Sequence, residues 1–276
     1  MLSVIAVIWG SSFLLIDIGL DALRPGVITM ARVVLGYGAL SLLPRARVRL
    51  DAQDQPRVVL LGIVWIGIPL VLFPIAQQWI SSSVAGMLNG AVPLTSAAWA
   101  GVLLRTLPGG RQAIGLIVGF AGIVAVSWPG LGEGDSTLLG TVLVLLAVAL
   151  YGLATNLAVP LQQKYGALPV LRRAQQSALM IVVPFGLWQL PGSHFELGPV
   201  LAMVPLGVLG TGVAFVMMTT LVGRVGAPRG AVAIYFVPIV AIGFGVAFRG
   251  DDVAPIALVG TVLVIAGAWL ASRRVA

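Results

Sequence analysis

The chain has 276 residues, 59% of them hydrophobic and 9% charged, with 35 Gly, 17 Pro and no Cys. Apolar runs on this scale cannot all be hidden in one water-soluble core, so the composition reads as an integral membrane protein. The lack of Cys excludes a disulfide framework, a thiol nucleophile and a Cys-based metal site, and the net charge of +7 finds its explanation below in membrane orientation, which removes a nucleic-acid reading.

Ten apolar spans are predicted, each near the roughly 20 residues that a bilayer requires. They lie at about 2–21, 25–44, 58–80, 82–104, 111–128, 137–159, 168–190, 198–221, 226–248 and 254–272. The first has neither a basic leading region nor a small-residue cleavage site, so it reads as a span and not a cleavable signal. It carries Trp9, Ser11, Ser12 and the sole embedded acid, Asp17; span 2 carries Arg32, the one clearly embedded cation. Asp17 and Arg32 lie at similar depth in consecutive antiparallel helices, and each charge is costly unpaired in lipid, so a structural ion pair is expected, with a gating or proton-linked role as the alternative. In span 3, Gln77 and Gln78 point about 100° apart, so only one can face a central path, and Gln78 is preferred. Trp65 and Trp79 read as packing or interface anchors.

Span 4 contains Pro93 and span 9 contains Pro238. Neither proline can donate to the carbonyl four residues earlier, that of Asn89 or Ile234, so both helices are expected to bend near mid-membrane with free backbone acceptors. A substrate ammonium could use those carbonyls. Asn89 and Tyr235, beside the two bends, are the preferred contacts against simple interhelical hydrogen bonding. Span 5 shows Gly115 and Gly119 in a GxxxG pattern, answered by Gly260 and Gly267 in span 10. This predicts close helix packing, either within a monomer or in a homodimer through helices 5 and 10. In span 6, Tyr151 and Thr155 share one face, with Asn156 beside them. Thr211 in span 8 completes the polar lining, and the single histidine, His194, falls in a loop and reads as solvated.

The basic residues test the span count independently. With the amino terminus in the cytoplasm, the cytoplasmic loops and tail hold Arg45, Arg47, Arg49, Arg57, Arg105, Arg111, Lys164, Arg172, Arg173, Arg224, Arg229, Arg273 and Arg274, which is 13 of the 16 Lys and Arg. The opposite loops keep only Arg24 and Arg249 and carry Asp21, Glu133, Asp135, Glu196, Asp251 and Asp252. That skew predicts both termini in the cytoplasm of a multi-pass protein of the cell inner (plasma) membrane.

The chain also repeats itself at a constant offset of 145 residues. Val59 matches Val204, Gly62 matches Gly207, Gly67 matches Gly212, Pro93 matches Pro238, Gly115 matches Gly260 and Gly122 matches Gly267. Coincident Gly and Pro mark backbone requirements rather than mere apolarity. The expected fold is therefore all-α, ten transmembrane helices in two five-helix repeats, 1–130 and 131–276. Five is odd, so the second copy enters the membrane inverted, which favours a midplane site exposed alternately to the two sides.

Trp9-Gly10-Ser11-Ser12-Phe13, Arg32, Pro93 and Gly115 to Gly122, answered by Tyr151-Gly152, Pro238 and Gly260 to Gly267, resemble the EamA-type module of the drug/metabolite transporter superfamily. The resemblance covers the whole chain, twice. It implies ten helices and export of small metabolites, with amino-acid exporters of the YddG kind as the nearest branch. That family tends to carry a Glu about nine residues before the first of these glycines, where this chain has Thr106 and Asp251, so the acid is missing from the first copy.

What the spans lack narrows the solute. No Lys lies in a span and Arg32 stands alone, which argues against a phosphate-ester antiporter. No embedded Glu is present, which argues against cation/proton drug efflux. The remaining lining, Trp9, Gln77, Gln78, Asn89, Tyr151, Thr155, Asn156, Thr211 and Tyr235, suits a neutral or zwitterionic solute with a large apolar or aromatic side chain. Export of drugs or other metabolites is the alternative, and a passive channel a further one. An enzyme is disfavoured, with no embedded His to act as base and no metal-ligand cluster; no P-loop, cofactor or metal is expected, and the partners are the small solute and the bilayer.

Overall fold

The computed structural model describes residues 1–132, 135–225 and 232–272. Glu133, Arg229, Arg273, Arg274 and the Arg224 side chain, all part of the charge pattern above, lie outside what is described. Among the described residues, every regular element is helical. Helices α1 (Leu2–Leu20) and α2 (Pro25–Ser41) are followed by α3 (Gln55–Leu61), a π-helical segment Gly62–Gly67 and α4 (Ile68–Ala76), which form one continuous run. Next come α5 (Ser82–Asn89), α6 (Val92–Leu104), α7 (Gly110–Ser127), α8 (Asp135–Tyr165) and α9 (Ala167–Gln189). A second composite run joins α10 (Leu197–Pro205), the π-helical Leu206–Val213 and α11 (Ala214–Val225), before α12 (Val232–Arg249) and α13 (Pro255–Ser272).

Among the described residues, seven helical stretches are long and apolar enough to cross a membrane: Leu2–Leu20, Ala52–Ala76, Ser82–Leu104, Gly110–Ser127, Asp135–Tyr165, Leu197–Met218 and Pro255–Ser272. The protein is therefore a multi-pass membrane protein. Of the other helices expected to span, Ala233–Arg249 is apolar but short, α2 carries Arg32, and α9 carries Arg172, Arg173, Gln175 and Gln176. Large side chains on the outer faces of α7 and α13, such as Ile117 (70% exposed), Phe120 (67%) and Val262 (65%), would be a liability in water and suit a lipid boundary.

The tightest packing is between α7 and α13. A Cβ on Gly122 would lie 2.6 Å from the Val264 nitrogen and 2.7 Å from the Gly260 carbonyl oxygen, and one on Gly260 would lie 2.7 Å from the Val126 nitrogen. Only glycine permits backbones to approach so closely. The glycine stripes thus meet each other inside one chain. Elsewhere α1 packs on α12 and α6 on α8. A Cβ on Gly10 would strike Val240 and one on Gly152 would strike Thr95, and Thr95 and Val240 are themselves 145 residues apart.

The expected bends take two different forms. Around Pro93 the helix is interrupted: α5 ends at Asn89, Gly90-Ala91 form a turn, and Pro93 sits in the first turn of α6, where its missing N–H is harmless. Pro238 instead lies within the continuous α12. The two sites touch: Pro238 packs against Gly90, with its Cγ 2.7 Å from where a Gly90 Cβ would be.

Gly260→Val should force α7 and α13 apart and destabilise the protein by about 1–3 kcal/mol. Gly243→Ala in α12 places its methyl in open space and should leave stability unchanged or slightly raised. Thermal unfolding of both variants in detergent, followed by size-exclusion chromatography, checks the contrast.

Candidate functional site

The two π-helical segments prepare the centre of the bundle. Pro69, just after the first segment, has no N–H for the carbonyl of Trp65 within it, and Pro205, just before the second, has none for the carbonyl of Leu201 in α10, so the regular ladder loses a bond beside each segment. Gly62 and Gly207 then allow close contact with neighbouring helices: a Cβ on Gly62 would strike the Ala174 carbonyl of α9, and one on Gly207 would lie 2.6 Å from Leu35 Cβ of α2. Each widened segment is thereby pressed against a helix and turns its other side toward α1 or α8.

On that side, aromatic rings from separate elements converge. Trp9 of α1 and Trp65 of the first π segment both meet Phe215 of α11 edge to face, each with ring centroids 5.3 Å apart. Phe13 packs on Phe73 of α4, which stacks on Tyr151 of α8 at 5.9 Å. Trp9, Trp65 and Tyr151 are only half-buried. The Trp9 indole N–H donates to the Gly210 carbonyl at 3.1 Å, which fixes the ring over the second π segment.

Beside these rings lies a polar knot. Arg32 is buried (4% exposed) and its Nε donates to Thr211 Oγ1 at 3.1 Å. The Thr211 hydroxyl donates to the Leu206 carbonyl at 3.3 Å, five residues back across the π turn. Buried Gln175 of α9 donates its amide to the Thr211 carbonyl at 2.7 Å. Thr211 is thus wholly engaged and fully buried, a bridge between Arg32 and the backbone more than an open contact.

The expected Asp17–Arg32 ion pair does not form. Asp17 pairs with Arg249 at 2.6 Å, and Arg249 also reaches Asp21 at 2.8 Å. The similar depth expected of the two residues does not hold: Asp17 lies near the end of α1, which packs along α12 and its last residue Arg249, whereas mid-helix in α2 Arg32 turns toward the second π segment. At the same end, Asp251 accepts from Ser82 Oγ at 3.0 Å and from the Ser83 N–H at 2.9 Å, so the acid near the second glycine stripe anchors the start of α5.

The preference for Gln78 is also corrected. Gln77 is the buried one, and its amide donates to the Phe13 carbonyl at 2.8 Å, while Gln78 is exposed and bonds back to Ile75. Helix α4 ends at Ala76, so Gln78 has already left the face that points inward. Both line a cleft of about 440 Å³ at the Asp17 end, together with Asp17, Asp21, Arg24 and His194.

The remaining expected residues are dispersed. Asn89 is half-buried at the broken end of α5. Tyr235 is buried, but its hydroxyl meets Ser272 Oγ at 3.2 Å. Asn156 donates to the Ser96 and Gly152 carbonyls at 3.0 and 2.9 Å, tying α8 to α6, and Thr155 is exposed and bonds to the Tyr151 carbonyl. Phe73 and Phe215 escaped the sequence reading because a Phe in an apolar span carries no distinguishing mark.

Two hairpins are stapled at opposite ends of the bundle. At one, Lys164 lies 2.8 Å from both Asp51 and Asp54, Tyr165 donates to Asp54 at 2.7 Å, and the Lys164 ammonium holds the Asp51 carboxyl below the usual carboxylate range. At the other, Arg24 bonds to Ser193 and Gly192, and the His194 N–H donates to the Ala22 carbonyl.

The sequence profile of the EamA-like transporter family matches residues 1–128 and again 138–273. The chain belongs to this family. It is a membrane transporter and not an enzyme. A probable terminal-alkyne amino-acid exporter of Streptantibioticus cattleyicolor is 28% identical over 97% of this chain and 91% of its own length. An uncharacterized transporter of Archaeoglobus fulgidus is 23% identical over 99% and 98% of the two chains. The S-adenosylmethionine/S-adenosylhomocysteine transporter of Chlamydia muridarum is 34% identical, over 46% of this chain and 41% of its own. A solved crystal structure superposes with a TM-score of 0.66 over 98% of this chain and 94% of the other at 15% identity, a likeness of fold.

The Asp17–Arg249 pair is about one quarter exposed on each side, which places it between a screened surface pair and a fully desolvated one. A double-mutant cycle of Asp17→Asn and Arg249→Gln should give a favourable coupling on the order of 1 kcal/mol. Additive losses in thermal unfolding would show that the pair contributes nothing.

Proposed function

We propose that the protein is a secondary transporter that exports neutral amino acids with large apolar or aromatic side chains across the cell inner membrane by alternating access. It has ten membrane-crossing helices in two inverted five-helix repeats, residues 1–130 and 131–276, with both termini in the cytoplasm. Support for the repeat comes from the two π segments, which contain the Gly62/Gly67 and Gly207/Gly212 pairs, and from the paired Gly10–Val240 and Gly152–Thr95 contacts. A binding site between two inverted halves, served by helices that depart from regular geometry, is the arrangement expected of such transporters.

The observation that carries the substrate reading is the convergence of half-buried Trp9, Trp65 and Tyr151 on Phe215 and Phe73. Ring pairs of this kind add about 0.5–1.5 kcal/mol each beyond the area they bury, and rings left partly uncovered offer that gain to a large apolar side chain. Asn89, with its carbonyl released by Pro93, supplies an acceptor for the ammonium. Tyr151 and Trp9 are the principal contacts; Asn156, Gln77, Thr155, Thr211 and Tyr235 support the helices around them. The likeness to an amino-acid exporter points the same way.

In proteoliposomes, phenylalanine and other large neutral amino acids should inhibit export of labelled phenylalanine more strongly than glutamate, lysine or a sugar phosphate does. Stronger inhibition by glutamate or the phosphate ester would sink the reading. Orientation has its own check in this Cys-free chain: Cys at position 194 should react with an impermeant maleimide from outside the cell, and Cys at position 49 only after the membrane is permeabilised.

A further inference from the structure

We propose that Arg32 is the anchor for a substrate carboxylate. The site then requires a monocarboxylate with an apolar or aromatic body, a conclusion that rests on the transport reading above and specifies the charge its substrate must bring.

The argument begins with an unbalanced charge. Arg32 is 4% exposed, and no described carboxylate lies within ion-pair distance of it. The one embedded acid, Asp17, is held by Arg249. A guanidinium does not give up its proton under physiological conditions, so the cation cannot be relieved by titration. An unpaired buried cation is costly in a bilayer, and intramembrane charges of this kind mark substrate pathways.

Geometry supplies the direction. Nε is held by Thr211 Oγ1, itself fixed through Leu206 and Gln175, so one of the five N–H donors is used to orient the group. The Nη2 end lies toward Gly210: a Cβ there would be 4.0 Å from Nη2 and 3.0 Å from Ser12 Oγ of α1. Glycine thus brings the backbone, the Ser12 hydroxyl and the guanidinium end close together with no side chain between them. The same Gly210 accepts the Trp9 indole N–H through its carbonyl, so the guanidinium end and the Trp9 ring meet at one stretch of backbone. A planar fork matches a carboxylate with two parallel hydrogen bonds, while the rings receive the apolar body. The position 145 residues on from Arg32 is Ser177, whose hydroxyl bonds within its own helix, so the described part of the second half offers no equivalent cation there. One site, one carboxylate is the stoichiometry that follows.

The decisive comparison needs no variant. Purified wild-type protein, reconstituted in liposomes, is challenged with L-phenylalanine, L-phenylalaninamide and 3-phenylpropanoate as competitors of labelled phenylalanine export, and thermal stabilisation in detergent gives an independent measure of binding. Losing a charged hydrogen-bonding group should weaken the amide by roughly tenfold or more relative to phenylalanine. Arg32→Gln should abolish that discrimination, Arg32→Lys should restore it in part, and Thr211→Val, which leaves the guanidinium but releases its Nε, should fall between wild type and Arg32→Gln. Equal potency of phenylalanine and its amide on wild type would overturn the anchor while leaving amino-acid export intact. Binding of phenylpropanoate in an Arg32-dependent way without any amino-acid transport would uphold the anchor and reject the amino-acid reading. Failure of every carboxylate to bind would overturn the anchor.

Discussion

The bilayer core contains no water to satisfy a backbone N–H or C=O, and every departure from regular helix in this chain has to be compensated by the protein itself. The π segments Gly62–Gly67 and Leu206–Val213 and the break at Gly90-Ala91 are such departures. In the second π segment the compensation comes from polar side chains. The Leu206 carbonyl accepts the Thr211 hydroxyl, the Gly210 carbonyl accepts Trp9, and the Thr211 carbonyl accepts Gln175. The polar side chains that close these gaps are the same ones that surround Arg32, so the structural requirement and the site share residues.

Rigid and adaptable parts are built from different residue types. Helices α7 and α13 are joined backbone to backbone through Gly115, Gly122, Gly260 and Gly267, which leaves neither helix room to slide without a clash. The rings around Phe215 and Phe73, by contrast, meet through side chains with partly uncovered faces. The alternating access we propose draws on this division between a fixed frame and partly uncovered rings.

Charge is arranged by the same economy. At the ends of the bundle, Lys164 with Asp51 and Asp54, and Arg249 with Asp17 and Asp21, balance locally in partial contact with solvent. In the middle, Arg32 has only neutral partners among the described residues. Among the described residues, paired charges at the ends thus contrast with a single buried cation at the centre.

Much of the architecture was legible without coordinates, because a membrane imposes its pattern along the chain. Apolar runs near 20 residues placed the helices to within a few positions, Pro93 marked an interruption, and the Gly115 and Gly260 stripes announced a close contact. These are local properties: hydropathy, a missing N–H and a missing Cβ act on the residues that carry them. What the sequence left open was azimuth, the direction in which each side chain points around its helix. Asp17 and Arg32 lie in consecutive helices but face different neighbours; Gln77 and Gln78 are adjacent but one is buried and the other exposed. Phe73 and Phe215 join the rings only because α4 and α11 are brought to α8 and α1. Direction is set by ridge-and-groove packing among helices far apart in the chain, and only the assembled tertiary structure decides it.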